Sequence, residues 1–188
     1  MNVLSLFNGM SFGMMALESL NIKVDNYYSS EVDKYANQAT QALFPNVIQL
    51  GDVTKWREWN IDLSKIDLLI GGPPCQAFSV AGKRLAFDDP RGMLIHTYFE
   101  ILNKVKPDNV FFENVTGLFS SDKGNAFPMI LSEFNRCGYA VDFKVINSAL
   151  VSAQNRQRIY ILGRRLDLCQ GLTHNITLTK EFINEHKR

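Results

Sequence analysis

A doubly wound, mostly parallel α/β sheet is the fold this sequence predicts. Short apolar runs alternate with segments of helical periodicity along the chain. Glycines, prolines and acids gather where the apolar runs stop, as expected where open sheets hold their ligands. The length, 188 residues, suits one domain able to bury a proper core, and 46% hydrophobic with 21% charged residues is the balance of an ordinary soluble globular protein.

Taken in order, residues 3–7 read as a buried strand, followed by a glycine-punctuated turn and a helix to about Leu20. A second strand over 27–30 precedes a helix with apolar positions Tyr35, Ala39, Ala42 and Leu43, stopped by Pro45. Strands follow over 47–50 and 66–70. Residues 73–90 then carry Pro73, Pro74 and Pro90 with the turn formers Gly82, Asp88 and Asp89, a loop long enough to draw attention as functional. A helical pattern over 93–105 ends at Pro107, and a strand occupies 109–112. Phe127, Ile130, Leu131 and Phe134 fall at i, i+3, i+4 and i+7, an amphipathic helix ending at Gly138 with Pro128 tolerated in its first turn. Strands over 139–146 and 159–162 complete the sheet.

No run of about 18 apolar residues exists, so no membrane span is expected. The N-terminus lacks the basic and apolar regions of a signal peptide, and Cys75, Cys137 and Cys169 show no paired spacing. Both point to a reducing, cytoplasmic setting without a disulfide framework.

Chemistry concentrates at the strand ends. The turn Phe7-Asn8-Gly9-Met10-Ser11-Phe12-Gly13 lets backbone approach a ligand closely at a helix N-terminus. Glu31 ends the second strand, 22 residues after Gly9, where such folds place an acid to accept from ribose hydroxyls. Asp52 follows the third strand and could accept from an adenine amine. The turn lacks the Gly-x-Gly-x-x-Gly fingerprint, so the set favours S-adenosylmethionine over a dinucleotide. Cys75 follows Gly71-Gly72-Pro73-Pro74, a rigid turn on the same rim that is a poor place to pack a thiol and a good one to present a thiolate. Glu113 follows the strand ending at Phe112 among apolar neighbours, where desolvation would raise its pKa and let it give a proton to a ring nitrogen. Arg156 and Arg158 stand at i, i+2 before the last strand, a donor face for a carbonyl, a phosphate or a thiolate.

With these motifs in view, most of residues 1–165 resembles the DNA (cytosine-5) methyltransferase family. The residues that carry the resemblance are Phe7 to Gly13, Glu31, Asp52, Pro73-Pro74-Cys75-Gln76, Arg91-Gly92-Met93-Leu94, Glu113-Asn114-Val115 and Gln154-x-Arg156-x-Arg158. The first motif and Ser30-Glu31-Val32 are closest in form to the animal de novo branch and to phage relatives.

The resemblance implies a Rossmann-like fold that binds S-adenosylmethionine and releases S-adenosyl-L-homocysteine, and methyl transfer to C5 of a cytosine flipped out of double-stranded DNA. It makes Cys75 the nucleophile at C6 and Glu113 the partner of N3, with Arg158 at the cytosine O2 side, Arg156 supporting nucleophile and phosphate, and Asn114 orienting Glu113. The implied cofactor set is Phe7, Asn8, Gly9, Met10, Ser11, Glu31, Val32, Asp52, Val53, Pro73 and Leu94. Gln76, Ser79, Lys83, Arg84 and Gln154 would meet the DNA, and no metal is called for.

The sequence departs from the family after Gly163. The target-recognition region and the final helix of the cofactor domain have no counterpart in 166–188, which reads as an extension of unassigned role. A net charge of +1 fits DNA contacts lying largely elsewhere. The expectation is therefore a catalytic fragment, or one subunit of a split enzyme of prokaryotic or phage origin completed by a second subunit. A non-catalytic regulatory or DNA-binding paralogue would be expected to lose Cys75, Glu113 or the arginines, all of which are kept. A tRNA-methylating member would carry a Cys-Phe-Thr tripeptide downstream, in a portion this chain does not contain, so tRNA cytosine-5 methylation stays open as an alternative.

Overall fold

A computed structural model describes residues 1–74 and 90–169. The strands are β1 (Asn2–Leu6), β2 (Asn26–Ser30), β3 (Ile48–Gln49), β4 (Leu68–Gly71), β5 (Asn109–Val115), β6 (Tyr139–Asn147) and β7 (Gln157–Arg165). They form one sheet in the order β3-β2-β1-β4-β5-β7-β6. Pairing is parallel from β3 to β5, and β7 runs antiparallel to both β5 and β6. The strand order reverses at β1, stepping to β2 and β3 on one side and to β4 and β5 on the other, so the switch point where such sheets open a ligand crevice lies between β1 and β4.

Of the helices α1 (Phe12–Ser19), α2 (Lys34–Leu43), α3 (Pro90–Val105) and α4 (Ala126–Arg136), α1, α3 and α4 build two cores. On one face α3 and α4 set Tyr98, Phe99, Phe127 and Phe134 against Leu4, Leu69, Phe112 and Ile161 of the sheet. Edge-on ring contacts among Tyr98, Phe99, Phe112 and Phe134, with centroids 5.0–6.3 Å apart, add directional packing to the buried area. On the other face Leu17 of α1 packs with Val3, Tyr27 and Val47. β1 is buried along both faces, which is why it reads as a continuous apolar run.

The termini of the helices follow local chemistry. Asp33 caps α2 by accepting from the backbone N–H groups of Tyr35 and Ala36, and Pro45 lies just beyond its end. Pro90 opens α3, and Lys106 closes it in a left-handed conformation (φ +51°), its N–H donating to Leu102 O.

Three expectations need correction. The predicted apolar face of α2 is outward: Tyr35 is 77% and Leu43 56% exposed, and Thr40 is buried instead. The helix docks through hydrogen bonds around Thr40 rather than through an apolar stripe. β5 runs on to Val115, so Glu113 and Asn114 lie within the strand, not after it. The reason is register: Glu113 pairs with Tyr160 and Val115 with Arg158, so the antiparallel β7 extends the ladder by three residues and itself begins at Gln157. Finally, Glu113 is not in an apolar pocket. Phe112 and Asn114 on either side of it point into the core, whereas its own side chain is one-third exposed.

Candidate active site

The carboxyl ends of β1, β2 and β3 form one rim. After β1 the backbone takes left-handed conformations at alternate residues, Phe7 (φ +55°), Gly9 (+58°) and Ser11 (+61°). Two of these bear side chains, a cost of roughly 1–3 kcal/mol each that surrounding contacts must offset. Glu31 supplies some of them: one oxygen accepts from Gly9 N–H at 2.8 Å, the other from Val32 N–H at 2.8 Å and Asp33 N–H at 2.9 Å. Its carboxylate thus brackets the turn to the segment that opens α2. Asp52 caps the short turn 53–58, accepting from Thr54 N–H and Oγ1 through a single oxygen. Those bonds, the backbone one first, hold its pKa below the ordinary carboxylate value.

The other expected cofactor residues divide by exposure. Met10 (43% exposed) and Val32 (72%) stand at the surface beside a half-buried Phe7. Ser11 is fully buried, and Asn8 turns its amide inward, donating to Ser11 Oγ at 2.7 Å. Val53 packs its side chain in the main core, and Leu94 lies half-buried against it. The rim segments 7–13, 30–33 and 50–53 hold Glu31, Asp33 and Asp52 and no lysine or arginine. Acids beside exposed apolar side chains suit a cationic adenosyl sulfonium; a pyrophosphate would find no cation there.

The second cluster lies where β4, β5 and β7 meet. Asn114, 4% exposed, donates its amide to Pro73 O at 3.0 Å and accepts from Val115 N–H at 2.9 Å. Gly72 lies against Glu113: a Cβ placed there would come 3.0 Å from Glu113 Oε2. Glu113 Oε1 is paired with Arg158 Nε at 2.9 Å, and Arg158 also donates to Gln157 O. Arg156 is exposed, its N–H donating to Asn147 Oδ1. Arg156 and Arg158 line an open polar groove with Thr116, Gln154, Asn155 and Gln157. The end of β4, the acid and the arginine pair therefore share one edge of the sheet.

Cys75, Gln76, Ser79, Lys83 and Arg84 lie outside the described residues, as does 170–188. Pro74, immediately before Cys75, is exposed, and Pro73 is buried on the Asn114 bond. Two residues were given no role of their own from the sequence, Gly72 and Thr40. Gly72 carries a signal, a second glycine ahead of the Pro-Pro pair. Thr40 carries a weaker one, a hydroxyl in mid-helix.

The family model for C-5 cytosine-specific DNA methylases matches residues 1–187. The chain belongs to that family. Among its relatives, the orphan methyltransferase M.Rho11sI of Bacillus phage rho11s is 41% identical over 91% of this chain and 34% of its own length. The type II methyltransferase M.HhaI of Haemophilus parahaemolyticus is 37% identical over 88% of this chain and 49% of its own. The chain thus spans between a third and a half of the curated relatives it matches. In fold it is similar to the Spodoptera frugiperda DNMT2 E260A/E261A/K263A mutant, with a TM-score of 0.69 and 22% identity over 96% of this chain and 56% of that one. Among the described residues, the motif positions 7–13, 31, 52, 73–74, 113–115 and 154–158 lie at strand ends of a single sheet, and 91–94 lies in α3. Among the described residues no helix is long and apolar enough to cross a membrane, and no group of three metal-ligating side chains converges.

Proposed function

We propose that residues 1–165 are the catalytic domain of a DNA (cytosine-5) methyltransferase that modifies a flipped cytosine through a covalent Cys75–C6 adduct. The observation that carries the reading is the tie between strand ends. Pro73, two residues before Cys75, is hydrogen-bonded to Asn114, and the neighbouring Glu113 is paired with Arg158. A nucleophile, a carboxyl and a guanidinium within one constellation are what addition to a cytosine ring requires.

In this mechanism the Cys75 thiolate forms a bond to C6. Glu113 gives a proton or hydrogen bond to N3 and takes up the charge that addition pushes into the ring. Arg158, with donors beyond the Nε that holds Glu113, meets the O2 side and keeps the ring in register. Arg156, free in the open groove, serves the phosphate beside the flipped nucleotide. Addition makes C5 nucleophilic, and S-adenosylmethionine, when bound, supplies the methyl group and leaves as S-adenosyl-L-homocysteine. A base, water included, then takes the C5 proton while N3 returns its proton to Glu113, which restores the C5–C6 double bond and expels the Cys75 thiolate.

The acidic rim around Glu31 and Asp52 would hold the adenosyl moiety, with Phe7, Met10 and Val32 as its apolar wall. Gln76, Ser79, Lys83, Arg84 and Gln154 would contact double-stranded DNA. A second polypeptide carrying a target-recognition region would supply further DNA contacts.

Trapping on duplex DNA containing 5-fluorocytosine, with S-adenosylmethionine, tests the chemistry. The C5 fluorine cannot leave as a proton does, so the wild-type adduct should survive denaturation. Cys75→Ser should form none while still binding S-adenosyl-L-homocysteine. The reading fails if no adduct forms with the chain alone or with a complementing recognition polypeptide.

A further inference from the structure

Beneath the turn 7–11 runs a chain of buried hydrogen bonds that reaches residues outside every family motif named above. Tyr27 of β2, 2% exposed, donates its hydroxyl to Asn8 Oδ1 at 3.1 Å. Asn8 Nδ2 donates to Ser11 Oγ at 2.7 Å, and Ser11 Oγ lies 3.0 Å from Thr40 Oγ1 of α2. Thr40 Oγ1 in turn lies 3.4 Å from Gly9 O. Because Ser11 Oγ already accepts from Asn8, its own proton is free for Thr40, and the Thr40 proton for Gly9 O. Donors and acceptors then run in one direction from the phenol to the carbonyl. Ser11 and Thr40 are both fully buried, so no solvent competes for these bonds.

The network grips the turn where it is strained. Two of its members, Gly9 and Ser11, are left-handed, and Asn8 lies between Gly9 and the equally left-handed Phe7. Tyr27 Oη also fills the space a side chain at Gly13 would need, 2.8 Å from the position of its Cβ. Burial pushes the Tyr27 phenol upward in pKa, so it stays a donor across the physiological range. Glu31 holds the same turn from the solvent side through Gly9 N–H, so Gly9 is held by its N–H from above and its carbonyl from below.

We propose that Thr40 and Tyr27 are positioning residues for the adenosyl cofactor, acting through Ser11 and Asn8 to keep the left-handed turn in its binding shape. The proposal rests on the reading of this rim as the S-adenosylmethionine site. Without the Thr40 hydroxyl, Ser11 loses a buried partner and the turn can relax to ordinary backbone angles. The ligand must then restore the strained shape on binding, and affinity falls.

Calorimetric binding of S-adenosyl-L-homocysteine to the full chain tests this. Thr40→Val preserves shape and removes the hydroxyl, and should weaken binding about tenfold, the effect of one lost hydrogen bond expressed in affinity. Thr40→Ser restores the hydroxyl and should bind within about twofold of wild type. Tyr27→Phe should weaken binding in the same direction and stands in should Thr40→Val fail to fold. Amide exchange at Gly9 and Ser11 should quicken in Thr40→Val and not in Thr40→Ser. Wild-type affinity in both folded variants, or equal losses in Thr40→Val and Thr40→Ser, would overturn the proposal. Failure of the wild-type chain itself to bind would instead overturn the cofactor reading and the proposal with it.

Discussion

Asn114 offers a direct measure of how firmly the segment leading to Cys75 is tied to the sheet. Its amide donates to Pro73 O at 3.0 Å and its carbonyl accepts from Val115 N–H at 2.9 Å, with the side chain 4% exposed. Asn114→Ala removes both partners. Leaving Pro73 O buried and unpaired costs about 1–3 kcal/mol, and the partly buried Val115 bond adds about 0.5–1 kcal/mol. The expected loss is therefore about 1.5–4 kcal/mol, readable by urea unfolding with the buried Trp56 as the fluorescent probe. Asn114→Asp separates the two bonds. It keeps the acceptor for Val115 but sets a carboxylate against the Pro73 carbonyl, an arrangement that only the protonated carboxyl can satisfy. Burial and that carbonyl raise its folded pKa, so the folded state binds the proton more tightly than the unfolded state. Its contribution is complete below the unfolded value of about 3.9 and lost as pH rises through the folded value. The deficit of Asn114→Asp should widen with rising pH, whereas that of Asn114→Ala should stay flat. A loss under about 0.5 kcal/mol for Asn114→Ala, or a pH-independent deficit for Asn114→Asp, would show that the Pro73 bond does not anchor the segment.

Gly72→Ala should leave stability within about 1 kcal/mol, because the new Cβ meets the carboxylate end of the Glu113 side chain and backbone only at 3.4 Å. The carboxylate must still give by a few tenths of an ångström. A catalytic group displaced that far should slow adduct formation on 5-fluorocytosine DNA about tenfold, at unchanged cofactor affinity. Asp25, Asp52 and Asp62 are each held below the usual 3.8, the first chiefly by the N-terminal ammonium, the second by Thr54 and the third by Ser64. Depressed folded values mean that the unfolded chain binds more protons, so their contribution is present above about pH 4 and lost as pH falls through the folded values. Thermal midpoints recorded from pH 6 to 3 should fall, and neutralising Asp52→Asn should flatten part of that decline.

Much of the fold was legible because β1, buried on both faces, reads as an unbroken apolar run, and because proline and glycine stop the helices. The ends of β5 and β7 were not legible. Glu113, Asn114, Gln157 and Arg158 are polar, and they become strand only through pairing, Gln157 with Asn147 of β6 and the other three across β5 and β7. α2 was misread in its inward face because it docks through a hydroxyl, so hydrophobic periodicity pointed at the wrong side. The rim residues were found by type, but type could not tell Met10 and Val32 at the surface from Ser11 and Val53 buried beneath it.

The antiparallel course of β7 explains an oddity of the motif order. Phe7 to Gly13, Glu31, Asp52 and Pro73-Pro74-Cys75 all lie at or beyond the ends of their strands, where a parallel sheet opens its crevice. Gln154 to Arg158 instead comes before most of its strand. Were β7 parallel, its beginning would lie at the opposite edge, a strand's length from Glu113. Because β7 runs backwards, its first residues reach the same rim, and Arg158 comes opposite Val115, close enough to bind Glu113 at 2.9 Å. The reversal also makes the pair depend on register. A slip of one residue in β5–β7 pairing would turn Arg158 to the other face of the sheet, into the aromatic core beside Phe112. Gly163 guards that register, since a Cβ there would come 2.5 Å from Val110 and 3.0 Å from Val141. Only a glycine fits between these two strands at that point, and a shifted ladder would bring Leu162 or Arg164 there instead.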